Sequence, residues 1–145
     1  MPLWQQVKSE KRALESLPMS AKAVVVSRDG KILVLRKSSG LYDLPGGKLE
    51  PGEDLFDGLR REILEEIGLS VKRFTFIASW VKTRPGLGDR LMTVYETRLK
   101  KRARKLPVAL SEEHDWGAFI SPRKAARLEL QPGYQNAIFL SSMRG

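Results

Sequence analysis

The stretch Gly47-Lys48-Leu49-Glu50-Pro51-Gly52-Glu53-Asp54-Leu55-Phe56-Asp57-Gly58-Leu59-Arg60-Arg61-Glu62-Ile63-Leu64-Glu65-Glu66-Ile67-Gly68-Leu69 decides how this chain is read. Leu55, Leu59, Ile63 and Ile67 recur at helical spacing, which predicts a helix over Asp54–Ile67. Asp54 is a capping residue, Asp57 adds negative charge to the first turn, and Gly68 is placed to end the helix. Gly58 sits inside it at a cost of about 1 kcal/mol relative to alanine. Close packing at that point is the expected reason. Glu62, Glu65 and Glu66 fall at i, i+3 and i+4 and therefore share one face. Like charges at that spacing oppose the helix by a few tenths of a kcal/mol. A solvated face tolerates this cost, whereas a hard divalent cation reverses it, because Mg²⁺ and Mn²⁺ prefer oxygen ligands.

Upstream, Ala21–Arg28 and Lys31–Lys37 are rich in valine, isoleucine and leucine around Asp29-Gly30, a hairpin signal. Leu41–Leu44 reads as a short extended piece closed by Pro45-Gly46-Gly47. Downstream, Val71–Lys82 and Arg90–Leu99 read as strands joined by a loop containing Pro85-Gly86-Leu87. Trp116–Ile120 reads as a further strand, Ser121-Pro122 starts a helix to about Leu128, and Pro132–Met143 is a final helix. Strands mixed with a few helices in one small unit imply an α/β class with a mixed central sheet. Residues 1–19 are expected to form an arm or a short helix, in which Leu3, Trp4, Val7, Leu14 and Leu17 have roughly helical spacing. The domain proper is 20–145.

The chain has 145 residues, 41% hydrophobic and 30% charged, and no cysteine. That composition suits a globular domain with one core. It excludes a disulfide scaffold, thiolate zinc and a cysteine nucleophile. His114 is the single histidine, which excludes a histidine-rich metal site. The longest aliphatic run, Ala23–Val26, is far too short to cross a bilayer, and charged residues interrupt the N-terminal arm where a signal peptide needs an apolar core. The expected location is the cytoplasm, with no membrane partner. Net charge is +9, yet residues 47–69 carry seven acids and three bases. An acidic site in a basic body suits a divalent cation holding a phosphate.

The same stretch matches the Nudix box, G-x5-E-x7-R-E-U-x-E-E-x-G-U with U aliphatic, at every defined position: Gly47, Glu53, Arg61, Glu62, Ile63, Glu65, Glu66, Gly68 and Leu69. The chain therefore resembles a MutT-like Nudix hydrolase over about residues 20–140. The resemblance implies an α/β/α sandwich in which the box forms a loop-helix-loop. It implies that the Gly47 carbonyl and the carboxylates of Glu62, Glu65 and Glu66 bind Mg²⁺ or Mn²⁺. It also implies that Glu53 and Arg61 orient those carboxylates through a salt bridge. The implied activity is hydrolysis of a pyrophosphate linkage in a nucleoside diphosphate joined to another group. One glutamate acts as general base, Glu66 or Glu65 within the box.

Outside the box, Ser111-Glu112-Glu113-His114 before an aromatic strand resembles a family segment whose glutamate reaches the metal site. Glu113 is the expected ligand or base there, with Glu112 as the alternative and an acidic loop as the plain reading. His114 is expected to pack the loop. Arg36 and Lys48 are expected substrate contacts, and Trp80, Tyr42 and Phe119 are aromatic residues able to stack on a base or simply line the core. Pro85 lies 16 residues past Leu69, a position similar to that of a proline in Nudix ADP-ribose pyrophosphatases, and an ordinary loop proline is the plainer reading.

The substrate is expected to be a nucleoside triphosphate, an oxidised nucleotide or an ADP-ribose-like compound. The chain is expected to act as a monomer or homodimer. The alternative is an RNA-binding or RNA 5′-end-processing protein on the same scaffold, since residues 98–105 hold six bases in eight. That strip reads as a nucleic-acid contact or as a solvated strand end, and no aromatic residue interleaves it. The isomerase branch of the family uses a cysteine, which this chain lacks.

Overall fold

In the computed structural model, which describes residues 2–6 and 17–144, the strands are β1 (Met19–Val26), β2 (Ile32–Lys37), β3 (Tyr42–Asp43), β4 (Gly46–Lys48), β5 (Thr75–Arg84), β6 (Gly88–Arg98) and β7 (His114–Ile120). The helices are α1 (Leu55–Ile67), α2 (Pro122–Ala125) and α3 (Pro132–Met143), and a 3-10 turn spans Ala103–Lys105. Residues 3–6 are helical, with Leu3 and Trp4 exposed. Val7 and Leu14 of the proposed N-terminal helix lie outside the described residues.

Among the described residues the seven strands form one mixed sheet in the order β3-β2-β1-β6-β5, with β4 also on β1 and β7 on β2. Period-two alternation along β1 splits the core between two faces. Val24 and Val26 pack with Ile32, Val34, Val94, Ala125, Tyr134 and Ile138 beneath α2 and α3. Ala21, Ala23 and Val25 pack with Leu33, Leu35, Leu59, Ile63 and Ile67 beneath α1. Helices therefore cover both faces, giving an α/β/α sandwich with a mixed sheet. Among the described residues no helix is long and apolar enough to cross a membrane.

The Asp29-Gly30 turn forms, with the Ser27 N–H donating to Lys31 at 2.9 Å and Gly30 at φ 79°. The hairpin it begins is short, because β1 and β2 meet only at Val26 and Ile32. Pro45 and β4 then take the place beside β1: Ala23 donates to the Pro45 carbonyl at 2.9 Å, and Ser20–Lys22 pair antiparallel with Gly46–Lys48. The long partner of β1 is β6, in parallel register from Met19–Leu91 to Val26–Arg98. Residues 71–74 stay outside β5, while Pro85–Leu87 make the tight β5–β6 turn.

Candidate active site

Helix α1 begins where Asp54 Oδ2 accepts from the Phe56 and Asp57 N–H groups, both at 3.2 Å. It ends where Gly68, at φ 70°, donates to Leu64 at 2.9 Å. Its apolar stripe Leu59-Ile63-Ile67 is buried in the sheet, and this sets the carboxylate face toward the β1–β4 junction.

Glu66 is buried, 4% exposed. Its Oε1 accepts from the Gly46 N–H at 3.0 Å, and its Oε2 lies 3.7 Å from His114 Nε2. Burial pushes the Glu66 carboxyl up to about 8, against the pull of Lys22 and the Gly46 N–H. Desolvation thus dominates the two interactions that favour its charge. His114 is buried too, its pKa is lowered mainly by burial, and neither ring nitrogen has a hydrogen-bond partner among the described residues.

Gly46 is fixed by geometry. Its φ is 121°, and a Cβ would lie 2.2 Å from the Ala21 carbonyl oxygen, so only glycine fits. At Gly47 a Cβ would meet the Glu62 carboxylate at 3.1 Å, which shows that this carboxylate lies directly on the loop backbone.

Arg61 holds the outer carboxylates. Its Nε and Nη2 donate to the two oxygens of Glu53 at 2.7 and 3.0 Å, a bidentate pair. Its Nη1 reaches Glu62 at 3.3 Å and Glu65 at 3.2 Å. The guanidinium holds Glu53 down at about 2. Gly58 makes room for this pair: a Cβ there would sit 2.7 Å from Glu53 Oε1 and 2.7 Å from Leu49 Cδ2.

A cleft of about 560 Å³ opens over these groups, lined by Gly47, Lys48, Glu62, Glu66, Glu113 and His114 among others. Loop 109–113 reaches it because Ala109 and Ser111 donate to the Ile67 and Glu66 carbonyls at 3.1 and 2.9 Å, strapping the loop to the end of α1. Glu113 lies on the rim and Glu112 lies outside the lining. Glu65 also lies outside it, exposed and turned to Arg61. Arg36 is likewise outside, paired with Asp115 at 2.9 Å, while its neighbour Lys37 lines the cleft. Tyr42 meets Trp116 edge-on, Trp80 meets Tyr134 in the same way, and Phe119 packs on the α1-side core.

Other lining residues carry no box signal. Lys22 is buried and donates to Asp43 at 3.1 Å, to the Leu44 carbonyl at 3.1 Å and to the Gly46 carbonyl at 3.0 Å, which ties the box loop to β1. A lone lysine inside the apolar run Ala21–Val26 was its visible signal. The β5–β6 hairpin adds Lys82, Arg84 and Arg90, while Gln131 comes from the residue before α3 and Tyr134 from α3 itself. Arg90 is anchored on Ser20 Oγ at 3.2 Å, and burial, with Arg84 nearby, lowers its pKa.

Among the described residues no trio of His, Asp or Glu side chains stands ready-made around one point. Arg61 ion-pairs with Glu62 at 3.3 Å and with Glu65 at 3.2 Å, and Glu65 is turned away from the cleft. Beside the His114 imidazole, the donors that face the cleft are oxygens, from Glu62, Glu66, Glu113 and the Gly47 backbone. That set fits a hard divalent cation.

The NUDIX domain model matches residues 17–140, and the chain belongs to the Nudix family. It is 30% identical over 93 residues to the ADP-ribose pyrophosphatase of Bacillus subtilis, 61% of this chain and 50% of that protein. It is 37% identical over 62 residues to the CTP pyrophosphohydrolase of Escherichia coli, 39% of this chain and 46% of that protein. The chain thus spans about half the length of these curated relatives. The MutT protein of Methanosarcina mazei Go1 superposes with a TM-score of 0.72 at 27% identity, covering 88% of this chain and 94% of that one.

Proposed function

We propose that this chain hydrolyses a pyrophosphate linkage in a nucleoside diphosphate joined to another group, with Mg²⁺ or Mn²⁺ held by Glu62, Glu66 and the Gly47 carbonyl. The observation that carries this reading is the buried Glu66 carboxylate beneath a cleft rimmed by Lys37, Lys48, Lys82, Arg84 and Arg90. Acid inside and base outside is the charge order that a cation-bound phosphate chain demands. When bound, the cation neutralises phosphate oxygens and lowers the pKa of water.

The protein supplies position and proton transfer. Lys48 and the β5–β6 cations hold and orient the phosphates. Arg61, fixed by Glu53, aims the Glu62 carboxylate, and Glu65 supports Arg61 from outside the cleft. Glu113 has no ion pair among the described residues and lies on the cleft rim. It is the carboxylate free to accept the proton of the attacking water.

The test is a hydrolysis screen with each cation over nucleoside triphosphates, oxidised purine triphosphates, ADP-ribose and dinucleoside polyphosphates. One substrate cleaved far faster than the rest by the intact chain, and not by Glu66→Gln, is the expected result. Equal rates for both proteins, or silence across the panel, overturn it.

A further inference from the structure

A second depression, of about 510 Å³, is lined among the described residues by Arg28, Lys100, Lys101, Arg102, Arg104 and Lys105. It shares no residue with the active-site cleft. Met92 lines the cleft and Arg98 ends the same strand, so six strand residues, about 20 Å, separate the two sites along β6. The structure also revises the membership of the basic run. Arg98 is committed elsewhere, to Glu96 at 2.7 Å and to the Ser141 carbonyl at 3.2 Å, and Arg28 of the β1–β2 turn takes its place.

The backbone beneath this cluster is pinned. Arg28 donates its N–H to the Lys101 carbonyl at 2.8 Å. Asp29 Oδ1 accepts from the Ala103 N–H at 2.8 Å and from Ser27 Oγ at 2.7 Å. Lys105 and Leu106 close the 3-10 turn on Arg102 and Ala103. By contrast, none of the six cationic side chains has a carboxylate partner among the described residues, and all six are exposed. Six unpaired like charges held together on fixed backbone repel one another, a cost that salt screens and that a multivalent anion relieves further.

The features of the cluster select the kind of anion. A socket for one small phosphate needs converging buried donors, and here every side chain is exposed. Stable anchoring to a membrane surface needs an apolar wedge in addition to a basic cluster, and among the described residues the lining holds no apolar side chain. A row of phosphates along a flexible strand satisfies both observations. We propose that Arg28 and Lys100–Lys105 form a docking surface for the phosphate backbone of a single-stranded nucleic acid, separate from the cleft. Among the described residues no aromatic side chain lines it, so binding is driven by phosphate contacts rather than by stacking or base readout.

The experiment is fluorescence anisotropy with a labelled 20-nucleotide RNA, and DNA of the same sequence, titrated from 50 to 200 mM salt. Six phosphate contacts set a limiting slope of log K against log salt of about −4. Expected are a slope near −3 to −4 and affinities for RNA and DNA within about threefold. Lys100→Gln/Arg102→Gln/Arg104→Gln should weaken binding at least tenfold and cut the slope by about 2, since each contact contributes about 0.7. These side chains make no hydrogen bond within the described residues, so the variant should melt like the parent. Its hydrolysis of small nucleotides should be unchanged.

Arg123→Gln/Lys124→Gln/Arg127→Gln removes the same charge around α2, which packs on the other face of the sheet from Leu99 and Val108. This control should stay within twofold of the parent. An equal loss in the control reduces the effect to net charge and overturns the site. So does an absence of binding at 50 mM salt, a preference above tenfold for one sugar, or strip-dependent binding to anionic vesicles without binding to either oligonucleotide.

Discussion

Arg61 grips both carboxylate oxygens of Glu53, eight residues earlier in the chain, at 2.7 and 3.0 Å. The pair holds Glu53 down at about 2. A depressed carboxylate contributes stability that is present above its unfolded value and lost as pH falls through the folded one. The Glu53→Gln variant should therefore melt lower than the parent at pH 7. The gap should narrow below pH 4.5 and close near pH 2. Hydrolysis should fall by about 10- to 100-fold, the usual cost of releasing the support of a ligand shell. Melting curves of both proteins across that range check the sign, and a gap independent of pH would contradict it.

Gly58 answers to the same pair. Helix propensity alone predicts that Gly58→Ala stabilises α1 by about 1 kcal/mol. The structure predicts otherwise, because the new Cβ meets Glu53 Oε1 and Leu49 Cδ2 at 2.7 Å each. Glu53 is tethered by Arg61 and cannot swing clear without breaking the bidentate pair. The variant should gain no stability and should lose activity at unchanged helix content. A gain of about 1 kcal/mol in urea unfolding, with full activity, would show that the pair needs no such space.

Local pattern carried α1 and both of its caps, because each depends on residues a few positions apart. Strand partners depend on distant chain. Asp29-Gly30 marks a turn correctly, yet it cannot reveal that β4 displaces β2 from most of β1, or that β6 runs parallel on the other side. The candidate site divides the same way. The box residues were legible from spacing, while Lys82, Arg84 and Arg90 reach the cleft only through the β5–β6 hairpin. Lys22 was the legible residue left unread: a charge inside an apolar strand needs buried acceptors, and it has three.

Glu112 and Glu113 are adjacent, and their sequence context is nearly the same. The strap of Ala109 and Ser111 to the end of α1 turns Glu113 onto the cleft and leaves Glu112 in solvent. Glu113→Gln should lower kcat by about 10²- to 10⁴-fold, the usual contribution of a general base. Its KM should change little. Glu112→Gln should stay within twofold of the parent. Steady-state kinetics on the preferred substrate decide this, and equal effects from the two variants would remove Glu113 from the proton-accepting role.

Glu66 makes a prediction of the opposite sign to Glu53. Its carboxyl is pushed up to about 8 by burial, so between about pH 4.5 and 8 the folded state holds a proton that the unfolded state has released. Stability then falls as pH rises through that window. A tenfold difference in proton affinity between the two states is worth about 1.4 kcal/mol. Glutamine keeps the oxygen that accepts from Gly46 and removes the charge. In EDTA, Glu66→Gln should match the parent near pH 4.5 and become progressively more stable than it up to about pH 8, above which the difference levels off. Added Mg²⁺ should stabilise the parent and not the variant, because binding to the folded state alone raises its stability by mass action. Urea unfolding at several pH values, with and without the cation, reads both effects. Parallel curves for the two proteins would mean that Glu66 is not held in its protonated form by burial, and an equal response to Mg²⁺ would take Glu66 out of the metal site.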